Sequence, residues 1–353
     1  MLVDTSYAAR GASGTAVYVE RVVAALRAQG EVEVAEARQR RRLRTAARGG
    51  RLGPLRSAAN ALLDALWLHA GLPRAARLAR ADVVHHPLPA HSRRIAAPQV
   101  STFHDLAFLH MPDRYDPAWR VLAARAYRRA AGRCAALVCP TEATAGDLVA
   151  LLGADRDRVV VAPHGPGQAE GADPAGGAAE DGPLLFVGDT EPRKNLSGLL
   201  SAYAAYRIRA GDPVELVLAG SAAAAAGEPG VVGRAAAGRD ELLALYRAAR
   251  ALVHPALHEG FGLTPLEAMA LGVPVLAVRN PGTEEVCAEA ALLVEPGELE
   301  QGLRRIASDA VLRADLAARG RKRSARFSWA EAARRHRHAY TLAVDGHAAV
   351  PDS

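Results

Sequence analysis

Lysine is nearly absent from this 353-residue sequence: Lys194 and Lys322 are the only two, and arginine supplies every other basic side chain except histidine. Aromatic residues make up 5%, too few to build a stacking surface for successive bases, and no nucleic-acid-binding module is recognisable. Cysteine is limited to Cys134, Cys139 and Cys287. Their number is odd and no Cys-x-x-Cys or Cys/His spacing occurs, which argues against a disulfide framework and a structural zinc site. All three are expected as buried small hydrophobes. Long apolar runs are missing as well. The longest uncharged stretches, such as 216–227 and 268–278, are far short of the ~18–20 apolar residues that a spanning helix needs. Asp4 lies where a leader would run and no apolar core follows it, so we expect no secretory signal and a cytoplasmic location.

What is present describes a folded chain. Hydrophobic residues are 50% and charged residues 23%, close to the averages of soluble globular proteins. The length suits two domains, at about 100–200 residues each. Cations exceed anions by six charges, which favours acidic partners such as phosphates, nucleotides or an anionic membrane face. Short apolar runs at 83–86, 99–103, 135–139 and 159–162, then at 184–188, 214–219, 251–254 and 273–278, alternate with longer helical patterns, the signature of βαβ units and parallel sheets. The stretch 165–182 holds six glycines and no apolar periodicity and reads as a linker. We therefore expect an α/β protein with a Rossmann-like domain over 1–167, a linker at 168–182, and a second Rossmann-like domain over 183–327. A shared ligand would sit in a cleft, at the carboxyl ends of the strands.

Several constellations carry chemistry. The strand at 184–188 runs through Asp189 and Glu191 into Arg193 and Lys194, which stand just before a helix starting near Leu196. Two cations at a helix N-terminus oppose the helix dipole unless an anion neutralises both, so the pair suits a diphosphate; a solvated loop with Glu191 as ion-pair partner is the plain alternative. After the strand at 251–254, Glu259 is followed by Gly260 and Gly262, which permit close backbone approach, just before another helix. Thr264, Pro265 and Glu267 read as N-cap, N1 and N3 of that helix, a capping box that gives Glu267 a structural task. Glu259 and Glu267, eight positions apart, can face one cleft and accept hydrogen bonds from sugar hydroxyls.

Elsewhere, Ser13, Gly14 and Thr15 lead into an amphipathic helix at 17–28 without the Gly-x-Gly-x-x-Gly spacing of a dinucleotide fingerprint. His104 and Asp105 follow a strand directly, placing an imidazole at its carboxyl end. Asp155 and Asp157 match a metal-binding Asp-x-Asp only superficially, since they precede a strand at the amino edge of the sheet. His85 and His86 are adjacent on a strand, point to opposite faces and cannot share one metal. No metal site is expected. The segment from Arg38 to Arg56 holds eight arginines and no acidic residue. It is either a solvated face or a surface attracted to anionic lipid headgroups, each cation near the surface contributing about 1 kcal/mol.

Taken together, these segments resemble the retaining glycosyltransferases of family 4, which have the two-domain GT-B fold. The most specific match is Glu259-Gly-Phe-Gly-Leu-Thr-Pro-Leu-Glu267, similar to the family's Glu-x7-Glu motif. The runs Phe186-Val-Gly188 and Glu191-Pro-Arg-Lys-Asn-Leu196, the His104-Asp105 pair and Phe327-Ser-Trp329 before the final helix resemble it too. The chain is most similar to the mannosyltransferase-like branch. The resemblance implies a nucleotide-diphosphate sugar as donor and a glycan, lipid-linked or natural-product acceptor, with no separate cofactor and no metal. It assigns Arg193 and Lys194 to the diphosphate, and the amides of Gly260, Phe261, Gly262 and Leu263 to the sugar and phosphate. Glu259 goes to the sugar hydroxyls, Glu267 to the ribose, Gly14 to the diphosphate and His104 to the transferred sugar. It further implies an acceptor-binding first domain, a nucleotide-sugar-binding second domain, and a helix over 328–345 that crosses back to the first. Asp189 stands where many relatives carry a base. A catalytically silent protein that binds a nucleotide sugar or scaffolds a glycan-assembly complex, and a sugar phosphorylase, are the alternatives; the retained Arg193, Lys194 and Glu259 count against the first.

Overall fold

The computed structural model describes residues 1–8, 13–39, 54–173, 178–235 and 238–348, so most of the arginine-rich stretch after Arg38 lies outside the described residues. The chain divides into two units. The first comprises Met1–Leu109, Pro117–Pro163 and the segment from Trp329 onward, and the second comprises His110–Asp116 and His164–Ser328.

Six parallel strands form the sheet of the first unit: β1 (Leu2–Asp4), β2 (Ala35–Ala37), β3 (Val84–His86), β4 (Gln99–Thr102), β5 (Ala136–Cys139) and β6 (Val159–Val161), in the order β2-β1-β3-β4-β5-β6. Strands β3, β4 and β5 are buried throughout, as expected where helices cover both faces of a parallel sheet. Helix Gly14–Gln29 follows β1. Extended Ser13 caps it by accepting from the Ala16 amide at 3.2 Å, and left-handed Gly30 (φ 70°) closes it with an N–H bond to the Arg27 carbonyl.

Helix Trp329–Ala348 packs against helix Gly14–Gln29 and against β4, β5 and β6 of the same unit. Ala332, Ala333, Ala339 and Ala343 are fully buried, small enough to let the helix lie close. A directed polar chain fastens it. The Ala332 carbonyl can only accept, so His336 donates to it from Nδ1 (2.7 Å) and accepts at Nε2 from the Tyr18 hydroxyl (2.7 Å). Thr102 then donates to the Tyr18 oxygen (2.8 Å) and accepts from His85 Nε2 (2.8 Å), and His85 Nδ1 accepts from the Tyr340 hydroxyl (3.0 Å). One carbonyl thus sets the direction of every proton from Tyr340 back to Ala332. His85 and His86 are indeed no chelating pair: His86 bonds Gln99 at 3.0 Å.

The second sheet holds β7 (Leu184–Val187), β8 (Leu216–Ala219), β9 (Val231–Arg234), β10 (Ala251–His254), β11 (Val275–Val278) and β12 (Leu292–Val294), all parallel, in the order β12-β11-β10-β7-β8-β9. Counted from β9 this is the doubly wound order 3-2-1-4-5-6, whose direction reverses between β7 and β10. Alternate residues feed two apolar layers. Leu185, Val217, Leu252 and Val275 pack with Tyr246, Leu266 and Met269, while Leu184, Phe186, Leu216 and Val253 pack with Tyr203, Leu303 and Ile306.

Candidate active site

The chain leaves β7 and β10 side by side, at the point where the strand order reverses, and both exits carry the candidate residues. After β7, Asp189 accepts from the Glu191 amide at 2.9 Å and so shapes the turn. One 3-10 turn, Pro192–Lys194, and left-handed Asn195 (φ 54°) lead into helix Leu196–Arg209. The β10 exit is stitched to this turn by the Leu257 amide on the Arg193 carbonyl (2.9 Å) and by Asn195 Nδ2 on the Pro255 carbonyl (3.3 Å). From the β11 exit, Asn280 Nδ2 donates to the Ala256 carbonyl (3.0 Å). Gly282 then passes so close that a Cβ there would stand 2.0 Å from the Glu259 carbonyl oxygen. Three strand exits therefore fix one loop.

Glu259, 7% exposed, is the centre of the cluster that results. Arg193 Nη1 lies 2.8 Å from its Oε2, Lys194 Nζ pairs with its Oε1, and both cations are 15% exposed. Arg193 Nε also meets Glu191 at 3.0 Å, and Glu191 accepts from the Tyr115 hydroxyl at 3.2 Å. His254, the last residue of β10 and 2% exposed, places Nε2 3.3 Å from Glu259 Oε1 and Nδ1 3.2 Å from Thr264 Oγ1. Burial alone would raise the Glu259 pKa. Arg193 foremost, then Lys194 and His254, outweigh it and hold the carboxyl well below the usual carboxylate range. Burial lowers the His254 pKa, so its imidazole is neutral at pH 7. The sequence points to Arg193, Lys194 and Glu259 separately; in the fold they are one ion-paired group.

Glu267 departs from the expected capping box. The N-cap is Gly262, left-handed at φ 97°, and helix Leu263–Ala270 begins at Leu263, before Thr264, whose hydroxyl is engaged with His254. The tight Gly-Phe-Gly turn lets the helix start two residues early, and Glu267 then sits in its second turn. Its buried carboxylate accepts from the Gln168 amide at 2.7 Å and the Tyr246 hydroxyl at 2.8 Å. Gly167 (φ 46°) approaches so closely that a Cβ would fall 2.2 Å from Glu267 Oε1. The Phe261 side chain belongs to the core, 4.9 Å from the His164 ring and 5.7 Å from Phe327, which leaves its backbone for any ligand. The helix N-terminus offers amides without intrahelical partners around Leu263.

The sequence profile of Glycosyl transferases group 1 matches residues 175–323, and that of Glycosyltransferase Family 4 matches residues 12–166. The chain is 32% identical over 295 residues to a D-inositol 3-phosphate glycosyltransferase of Frankia alni, covering 72% of this chain and 71% of the relative. The chain belongs to glycosyltransferase family 4. O-antigen chain mannosyltransferase B of Escherichia coli is 28% identical to this glycosyltransferase over 267 residues, 69% of this chain and 70% of the relative. The fold agrees: the structure of WaaG, a glycosyltransferase involved in lipopolysaccharide biosynthesis, matches with a TM-score of 0.69 at 17% identity, covering 100% of both chains. The two Rossmann-like units are those of the GT-B fold.

The remaining candidates of this glycosyltransferase lie in the first unit. His104 follows β4, donates from Nε2 to the Pro87 carbonyl at 3.0 Å, and rests edge-on against the Tyr18 ring, 4.7 Å between centroids. Gly14 is exposed at the first position of its helix. Asp155 accepts from the Asp157 amide at 3.1 Å and caps a 3-10 turn. All three cysteines are buried and free. Sequence reasoning missed His254, Tyr246 and Gly282. His254 carried the same signal as His104, an imidazole at a strand's carboxyl end, but was read only as strand. The described residues hold no helix long and apolar enough to cross a membrane.

Proposed function

We propose that this glycosyltransferase moves a hexose, mannose first among the candidates, from a nucleotide-diphosphate sugar to a hydroxyl of a lipid-linked, polysaccharide or natural-product acceptor, with retention of configuration. The observation that carries the reading is the Arg193–Lys194–Glu259 group at the reversal point of the second sheet, where doubly wound sheets take nucleotides. The mannosyltransferase among the relatives supports the choice of sugar.

In this reading Arg193 and Lys194 receive the diphosphate, and the amides from Gly260 to Leu263 complete its cradle. Glu259 accepts hydrogen bonds from the sugar, Glu267 reaches the ribose, and Gly14 and His104 serve the diphosphate and the transferred sugar from the first unit. The acceptor hydroxyl attacks the anomeric carbon on the face from which the diphosphate leaves. The carbon–oxygen bond to phosphate breaks, and the hydroxyl proton passes to an oxygen of the departing diphosphate. Negative charge grows on that leaving group, so preorganised cations and amides there supply the largest catalytic contribution, on the order of several kcal/mol. No metal ion is required. The arginine-rich segment from Arg38 to Arg56 is proposed to hold the enzyme against anionic lipid, near a lipid-linked acceptor.

The test is a thermal-shift series with GDP, UDP, dTDP and ADP, each with and without EDTA. A nucleotide at 100 times its Kd should stabilise the protein by about 2.7 kcal/mol. We expect one nucleotide to stand out, to survive EDTA and to lose its effect in Lys194→Ala, and its sugar conjugate to turn over. A shift retained in Lys194→Ala would overturn the diphosphate assignment. Absence of any shift in a folded sample would overturn the donor reading in favour of a silent scaffold or a phosphorylase.

A further inference from the structure

We propose that His254 is a positioning residue that takes over the Glu259 carboxylate when a donor diphosphate draws Arg193 and Lys194 away from it. The inference rests on the donor reading above. Three donors converge on one carboxylate: Arg193 on Oε2, and Lys194 and His254 both on Oε1. Lys194 holds the close contact. His254 Nε2 is wholly buried, yet its 3.3 Å approach to Oε1 is too bent for a full hydrogen bond.

The proton on Nε2 is fixed by its surroundings. A carboxylate only accepts, so Nε2 carries the hydrogen, and Nδ1 accepts from the Thr264 hydroxyl at 3.2 Å. The ionised groups facing the ring are Glu259, Lys194 and Arg193, and burial keeps the imidazole neutral among them. A buried donor without a straight partner is costly and persists where a second arrangement satisfies it.

A diphosphate supplies that second arrangement. Its oxygens compete for the two cations that now neutralise Glu259. A carboxylate left alone in this buried position would take up a proton and lose its strength as an acceptor. His254 prevents this, because a small rotation of Glu259 toward Nε2 straightens the bent contact. The carboxylate stays charged and keeps its second oxygen for sugar hydroxyls. One buried glutamate thereby neutralises the cations before the donor arrives and reads the sugar afterwards.

The experiment compares the full chain with its His254→Leu, His254→Gln and Thr264→Val variants, using GDP and GDP-mannose, or the pair that the thermal-shift series selects. Without His254 the released carboxylate can take up a proton instead, so His254→Leu should weaken the free nucleoside diphosphate by only about two- to threefold, whereas the protonated acid is a poor acceptor for the sugar. The same variant should raise KM for the sugar donor at least tenfold. His254→Gln, which still offers an N–H to Glu259, should recover most of that loss, and Thr264→Val should show a smaller loss of the same kind. In a Glu259→Gln background, His254→Leu should have no further effect on KM. Equal weakening of diphosphate and sugar donor, or no change in either, would overturn the proposal. If His254→Leu does not fold, Thr264→Val and His254→Gln decide it. Wild-type protein that neither binds a nucleotide nor turns over its sugar conjugate would sink the donor reading itself; wild-type turnover that is indifferent to His254 sinks only this inference.

Discussion

At the scale of single residues, the cost of keeping Glu259 charged is what organises the site. Buried and flanked by Arg193, Lys194 and His254, the carboxylate is held far below its ordinary pKa, so it is an acceptor at every physiological pH. The same pairing means that the cations are engaged before any phosphate meets them. Glu259→Gln removes a buried negative charge and leaves two part-buried cations facing each other. We expect it to lower stability by about 2 kcal/mol and to enlarge the thermal shift produced by the matching nucleoside diphosphate, while abolishing transfer. Melting curves with and without nucleotide check this, and an unchanged or smaller nucleotide shift would show that Glu259 does not compete for Arg193 and Lys194. Glu259 stood out because it precedes two glycines at a helix start, and Arg193 and Lys194 because cations at a helix N-terminus oppose its dipole. Their mutual pairing was not legible, since 65 positions separate Lys194 from Glu259 and only the reversal between β7 and β10 brings them together. Glu267 was misread for a local reason: the sequence fits a capping box, but the positive φ at Gly262 starts the helix earlier and frees Thr264 for His254.

At the scale of elements, buried parallel strands announce themselves as short continuous apolar runs, and the eight such runs in the sequence all became strands, the edge strand β6 among them. The other three edge strands, β2, β9 and β12, did not announce themselves. β2 reads Ala-Glu-Ala and β9 contains Gly233, so neighbouring backbone rather than intrinsic preference extends them. Helix Trp329–Ala348 was legible in outline, but its fastening to Tyr18, Thr102 and His85 needed the fold. That fastening makes the first unit sensitive to acid. His336 is pushed down to about 4 by burial, against 6.5 in an unfolded chain, and burial lowers His85 as well. A native state that refuses a proton the unfolded chain accepts loses stability as pH falls from about 6.5 toward 4, and is unaffected above that window. His336 alone should remove about 2 kcal/mol between pH 7 and pH 5. Urea unfolding at the two pH values should show this loss, and His336→Gln should diminish it; an equal loss in the variant would assign the acid sensitivity to other groups.

At the scale of the whole molecule, the two units are not consecutive pieces of chain. His110–Asp116 leaves the first half to join the second unit, where Tyr115 holds Glu191 and His110 stacks on His258 at 4.6 Å, and Trp329–Ala348 returns to the first. A chain ending at Ser328 would uncover the helix Gly14–Gln29 face and strand the hydroxyl of Tyr18 and the ring of His85 without His336 and Tyr340. We expect such a chain to lose the ordered first unit and to keep the folded second one. Hydrogen exchange read separately over β3–β5 and β7–β11 tests this, and protected β3–β5 amides in the shortened chain would refute it.

The returning helix also sets the timing of folding during synthesis. All six strands of the first sheet are made before the main stretch of the second unit, His164–Ser328, yet the helix that seals them is translated roughly ten to thirty seconds later at about 5–20 residues per second. Until then an apolar groove, and polar groups that the helix later buries, stay open to water, a period in which a chaperone is useful. A ribosome that stops anywhere in the second unit therefore releases a product with neither half finished, one that cellular quality control can recognise by its unsealed first sheet.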